Sequence, residues 1–171
     1  MTPQEAYSLA LKEGPSDITR EEACKDPGFA YMYAMYVDRC PRDDTREAAC
    51  KDPYYAYRYA IDVYKGPSND TREAACKSPE YAYWYALYID KCPRDDTRKI
   101  ACKNSKWAYY YAFDVDEGPR DNTREAACRD SKSAYRYALN VDKCFREDTY
   151  TSVHKNLKLR KRYSSQVGKN T

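Results

Sequence analysis

Asp44-Thr45-Arg46-Glu47-Ala48-Ala49-Cys50-Lys51-Asp52-Pro53-Tyr54-Tyr55-Ala56-Tyr57-Arg58-Tyr59-Ala60-Ile61-Asp62-Val63 is followed 26 residues later by nearly the same text, reopening at Asp70-Thr71-Arg72-Glu73. The threonine recurs at Thr19, Thr45, Thr71, Thr97, Thr123 and Thr149, always at that step. A unit this short cannot bury its own apolar face, so such a repeat implies a stacked array.

Punctuation divides each unit into two helices. A first helix of about seven residues opens at Asp44-Thr45, where Asp44 and Glu47 form a capping-box pattern for the first backbone N–H groups. The second opens at Asp52-Pro53, an N-cap followed by proline at the first helical position. Equivalent starts are Asp26-Pro27, Ser78-Pro79, Asn104-Ser105 and Asp130-Ser131. This helix runs for about 13 residues and stops before Gly66-Pro67 or Cys40-Pro41, because proline blocks continuation. The spacing therefore predicts an all-α solenoid of short-helix and long-helix pairs. It also predicts one helical-repeat domain over 1–150, with a basic cap and tail over 151–171.

On a helical wheel, Ala30, Tyr33, Ala34 and Val37 share one face, as do Ala56, Tyr59, Ala60 and Val63. Alanines four apart form a shallow ridge that admits a neighbouring helix, and the tyrosines fill the flanking grooves. The opposite face changes from unit to unit. One of its positions reads Met32, Arg58, Trp84, Tyr110, Arg136; another reads Tyr36, Asp62, Tyr88, Asp114, Asn140. Drift at solvated positions produces such variation, but so does a partner-binding stripe, and Tyr36, Trp84 and Tyr88 are the large aromatics that protein interfaces favour. Met32, Tyr36, Arg58, Trp84, Tyr88, Tyr110 and Arg136 are accordingly the candidate partner-binding residues. A rhythm of 52 overlies the repeat, reading Gly14, Cys40, Gly66, Cys92, Gly118, Cys144 after the long helices.

Eight cysteines occupy two repeat positions: Cys24, Cys50, Cys76, Cys102 and Cys128, and Cys40, Cys92 and Cys144. No pairing within units consumes all eight, which points to reduced core thiols at the first position. Zinc is disfavoured by the lack of any C-x-x-C spacing and by a single histidine, His154. Neither a nucleophile–base set nor a phosphate loop is visible, and Asp43-Asp44 and Asp95-Asp96 read as turn and cap groups. A protein without catalytic, metal or cofactor sites is expected.

Net charge is +3, but unevenly spread: every acidic residue lies at or before Asp148, while Lys155, Lys158, Arg160, Lys161, Arg162 and Lys169 follow it. The first five are the candidate phosphate contacts. After Thr149 a sixth first helix begins and the text departs from the repeat beyond His154, in a stretch expected to cover the last core face. At the other end Tyr7, Leu9 and Leu11 align with Tyr59, Ile61 and Val63 as a truncated second helix. No stretch has the apolar length of a membrane span, and the first residues lack the pattern of a secretory signal. A cytoplasmic protein is the expectation.

The run Lys77-Ser78-Pro79-Glu80-Tyr81-Ala82-Tyr83-Trp84-Tyr85-Ala86 and its equivalents resemble a KDPEWAYLYA-like tandem bihelical repeat common in bacteriophage and environmental viral sequences. The likeness spans Thr2 to Thr149. In those repeats a larger apolar residue often stands at the Cys50 position, which agrees with a buried thiol. Departures are Cys40, Cys92 and Cys144 at the usual glycine, and Ser105 and Ser131 at the usual proline. The resemblance implies a helical-repeat fold, a phage or viral origin with residence in the host cytoplasm or the virion, and no catalytic residue. The functions expected are a protein-binding or assembly module, a nucleic-acid binder using Arg58, Arg136 and the basic tail, or a self-associating virion or filament component.

Overall fold

The computed structural model describes residues 1–166, and among these the secondary structure is entirely helical. Lys169, and with it the end of the basic tail, lies outside the described residues. Short helices α2 (Asp17–Ala23), α4 (Asp43–Ala49), α6 (Asn69–Ala75), α8 (Asp95–Ala101), α10 (Asp121–Ala127) and α12 (Glu147–His154) alternate with long ones. The long helices are α1 (Pro3–Glu13), α3 (from Pro27), α5 (from Pro53), α7 (from Pro79), α9 (from Ser105), α11 (from Ser131) and α13 (Leu157–Gln166). This is the all-α helical-repeat array that the 26-residue period predicts. Its described residues fall into two compact units, one from Met1 to Asp90 and one from Lys91 onward. Within each unit a long helix packs on the short helix that follows it and on the next long helix.

The five inner long helices do not stay α. They turn to π over Tyr33–Asp38, Tyr59–Tyr64, Ala86–Asp90, Tyr111–Val115 and Ala138–Asp142. Each then leaves through a residue at positive φ: Arg39, Lys65, Lys91, Glu117 or Lys143. The chain thus reverses one residue earlier than the glycine or cysteine at which the sequence places the stop, in a left-handed conformation that ordinarily favours glycine. α1 has no π turn and ends on Gly14, at φ 95°. It is shorter for that reason, and the register read from sequence slips by two. Tyr7 takes the place of Tyr31 or Tyr57 rather than Tyr59: its ring lies 6.0 Å from Phe29, as Tyr31 lies 6.1 Å from Tyr55 and Tyr57 6.1 Å from Tyr81. Ala6 and Ala10 are its buried ridge.

Caps differ in detail from the sequence reading. Asp44 is not the N-cap of α4; Arg42 is, and it makes no side-chain cap bond. The Thr45 amide donates instead to Asp44 Oδ1 at 2.7 Å, and Glu47 is exposed. Thr97, Thr123 and Thr149 are served in the same way by Asp96, Asn122 and Asp148. In α2 and α6, Ser16 and Ser68 are true caps and accept from Thr19 and Thr71. One backbone demand is met in two ways. Long helices are capped by Asp26, Asp52, Asn104, Asp130 and Asn156, whereas Ser78 makes no such bond.

Small residues and one tyrosine per layer build the core. Ala34 and Ala49 pack with Tyr59, Ala60 and Ala75 with Tyr85, and Ala112 and Ala127 with Tyr137, all fully buried. The phenol hydroxyl is not left orphaned. Tyr85 Oη accepts from the Ser68 amide at 3.0 Å, donates to the Ser68 carbonyl, and lies 2.8 Å from Thr71 Oγ1. Thr19–Tyr33, Thr45–Tyr59, Thr97–Tyr111 and Thr123–Tyr137 repeat the arrangement at 2.8–2.9 Å. The invariant threonine of the period thus ties each short helix to the next long one.

A charged pair closes the same joint. Arg20, Arg72, Arg98 and Arg124 each lie over the buried tyrosine ring, 5.4–5.7 Å from its centroid. Each forks onto an aspartate 18 residues on: Asp38, Asp90, Asp116 and Asp142. Both partners are nearly out of solvent, Asp116 completely. Charge-assisted bonds to these aspartates outweigh the opposing effect of burial and hold Arg20, Arg98 and Arg124 above the ordinary arginine range. Tyr64 stands at this aspartate position in the second repeat. Arg46 there turns to Asp43 at 2.7 Å, and its Nε lies 3.1 Å from Asp70 Oδ2, off the line of a hydrogen bond.

The sixth repeat runs further than the text suggests. α13 is its second helix, capped by Asn156, with Tyr163 buried and its Oη 3.3 Å from Thr149 Oγ1. Tyr163 joins Ala134, Ala138 and Val153, so the segment covers that core face as expected. Its two ridge positions are Arg160 and Ser164, both exposed.

Candidate interaction surface

The variable positions sit on the long helices, and the five at the first of them, Met32, Arg58, Trp84, Tyr110 and Arg136, are half-buried rather than fully exposed. In the first unit Tyr36 and Tyr88 are 49% and 47% exposed. Met32 is half-buried against Tyr31, Ala34 and Tyr59. Arg58 is half-buried and engaged: its Nε donates to Asp62 Oδ2 at 2.7 Å and its Nη2 to Tyr31 Oη at 3.1 Å. Trp84 is half-buried and stacks on Tyr88, with ring centroids 5.3 Å apart and planes at 10°. In the second unit Tyr110 lies against Trp107 and Tyr109, and Arg136 is half-buried. Lys155, Lys158, Arg160, Lys161 and Arg162 are all exposed.

The tyrosine after each ridge alanine, the first of the Tyr-x-Tyr triplet (Tyr31, Tyr57, Tyr83, Tyr109 and Tyr135), lies beneath this surface, and the sequence reading passed over it. Tyr31 Oη donates to Asp62 Oδ2 at 2.8 Å, and Asn140 Nδ2 donates to Tyr109 Oη at 2.9 Å. Tyr135 Oη bonds Gln166 in the same 31-residue step. Burial pushes the Tyr31 hydroxyl up to about 12. The second variable position therefore has two uses. A polar residue there clips onto the tyrosine of the preceding layer; Tyr36 and Tyr88 instead leave a ring facing solvent. The spacing of 31 between Tyr and Asp or Asn was a signal present in the sequence.

Concave features are shallow. One, of about 450 Å³ and open to solvent, is lined by Pro41, Arg42, Asp43 and Asp44. Its carboxylates are used: Asp43 pairs with Arg46, and Asp44 holds the Thr45 amide with Arg42 3.5 Å away. Among the described residues no group of His, Cys, Asp and Glu is arranged to hold a metal ion, and no helix is long and apolar enough to cross a membrane. Burial raises the thiols of Cys24, Cys50, Cys102 and Cys128 to about 11, which suppresses the reactive thiolate. Cys40, Cys92 and Cys144 lie exposed in the turns. No protein-family model, curated protein or solved structure matches the chain.

Proposed function

We propose that the chain is a non-enzymatic protein-binding module whose contact surface centres on Trp84 and Tyr88. The observation that carries this reading is the stacked pair itself. Two large rings stand on successive turns of one helix, packed against each other and open on one side. At the same positions one repeat earlier, Arg58 and Asp62 are tied together and to Tyr31. A preformed aromatic pair loses little conformational entropy on contact, which is why such residues dominate protein interfaces. Tyr36 extends the surface. The phage-type repeat resemblance and the absence of a membrane-crossing helix among the described residues support residence in a host cytoplasm. Stacking of molecules end to end, as in a filament, has less support, because Arg160 and Ser164 replace the alanine ridge on α13.

The test compares wild-type protein with Trp84→Ala/Tyr88→Ala in capture from host extract. The double variant should keep its helical circular dichroism and melting temperature while losing a specifically retained protein. Equal retention by both proteins, or unfolding of the variant, would show that the pair is not a contact surface.

A further inference from the structure

We infer that α13 is a sequence-independent binding site for the phosphate backbone of nucleic acid, separate from the aromatic surface and independent of its assignment. Six arginines of the repeats are neutralised by carboxylates: Arg20, Arg72, Arg98 and Arg124 by the buried aspartates, and Arg46 and Arg58 by Asp43 and Asp62. α13 has nothing comparable. Its segment contains no acidic residue after Asp148, and Lys155, Lys158, Arg160, Lys161 and Arg162 are exposed and ion-paired to no described residue.

Tyr163 and Leu159 fix the helix by its packed stripe. Lys158, Lys161 and Arg162 then share an outward arc of about 100°. Arg160 flanks the packed stripe at a position that is alanine in every inner long helix. Fixed, unpaired cations on one rigid element are what contact with successive phosphates requires.

Other occupants fit less well. A membrane-surface helix needs an apolar face to insert, and on α13 that face is already spent on the core, leaving only Leu157 strongly exposed. A protein interface centres on an aromatic or aliphatic anchor, and beyond Leu157 at its first position the exposed face of α13 carries none. No exposed aromatic on α13 offers a base a stacking platform, so contact stays with the backbone and is indifferent to sequence. Arg58, which the sequence groups with this activity, is committed to Asp62 and Tyr31 and takes no part.

The experiment is fluorescence anisotropy of the full chain with a labelled DNA duplex of about 20 bp, titrated from about 50 to 200 mM salt. Expected is binding at the low end, with log K falling against log salt at a slope of about −4 for four to five phosphate contacts. Replacing Lys155, Lys158, Arg160, Lys161 and Arg162 together by glutamine should weaken binding at least tenfold and flatten the slope. A control that removes four positive charges elsewhere, Lys12→Gln/Lys51→Gln/Lys99→Gln/Lys103→Gln, should stay within about twofold. Should the fivefold variant lose helicity, Lys158→Gln/Lys161→Gln alone should reduce the slope by about two. Absence of binding at low salt, equal loss in the control, or capture by phosphatidylserine vesicles or an acidic peptide in preference to the duplex would each overturn the inference.

Discussion

Removing one oxygen, by Tyr85→Phe, isolates the joint between layers. The ring is fully buried and Phe keeps its packing, so the change acts through the hydroxyl's three neighbours. Thr71 Oγ1 retains Ser68 Oγ at 3.1 Å and the Ser68 carbonyl at 3.3 Å, and that carbonyl still accepts from Arg72 N at 3.0 Å. The Ser68 amide is the group that loses its partner. A buried donor left unmet costs about 1–3 kcal/mol; Ser68 is half-buried, which with the lost contacts of the buried hydroxyl sets the expectation at about 2 kcal/mol. For a chain of this size that lowers the melting temperature by about 4–8 °C. Repeat arrays can melt in stages, so amide exchange at Ser68 is the sharper assay: its protection should collapse in Tyr85→Phe while Tyr88→Phe, on the surface, leaves it unchanged. A loss below about 0.5 kcal/mol with Ser68 still protected would refute the claim that phenol hydroxyls hold the layers together.

Asp116→Ala should cost about 3 kcal/mol by denaturant unfolding, because the Arg98 guanidinium loses its buried counter-charge and keeps only the solvent-exposed Asp95. The converse change, Tyr64→Asp, supplies Arg46 with the carboxylate the other repeats have and should raise the denaturation midpoint. Lys65→Gly relieves a left-handed residue at φ 56° and should stabilise by about 0.5–1 kcal/mol in the same assay. Native thiol titration should be biphasic, with Cys40, Cys92 and Cys144 reacting fast and the short-helix thiols slowly, rising to eight on denaturation. The half-buried thiols of Cys24, Cys50, Cys102 and Cys128 are lifted from 9.0 to about 11, so the folded state holds protons that the unfolded state releases. Their contribution is intact below about pH 9 and is lost as pH rises towards 11, so the melting temperature should fall over that window.

Period, helix pairing and the buried Ala-Tyr-Ala face were legible because periodicity and punctuation report burial directly. The joint was less so. Thr, Arg and Asp recur visibly, but only the fold brings residues 14 and 18 apart into contact, and a wheel drawn on one helix shows neither distance. π turns escaped because no residue type marks them; a wheel at 100° per residue holds only for the first half of each long helix. The two ends were misjudged for related reasons. α1 lacks the extra π residue and takes its positive φ at Gly14 itself, where the inner helices take it one residue before the glycine or cysteine, so alignment by text put Tyr7 two positions out. In α13 the ridge alanines became Arg160 and Ser164, which hid the retained Tyr163 and made a sixth repeat look like a tail.

What a repeat can offer a partner is set by what the joint leaves over. Threonine, the buried tyrosine, both alanines and, in most units, the Arg–Asp pair are consumed in holding neighbours together. The outer long-helix positions are the remainder, and even there a polar residue can be tied to the preceding layer: Asp62 to Tyr31, Asn140 to Tyr109. Where that position is aromatic, as at Tyr36 and Tyr88, a ring stays outside instead. The 52-residue alternation of Tyr36, Asp62 and Tyr88 is then more than a trace of duplication. It sets a closed layer between two open ones, so the first unit presents its aromatic surface at alternate repeats and not as one continuous stripe.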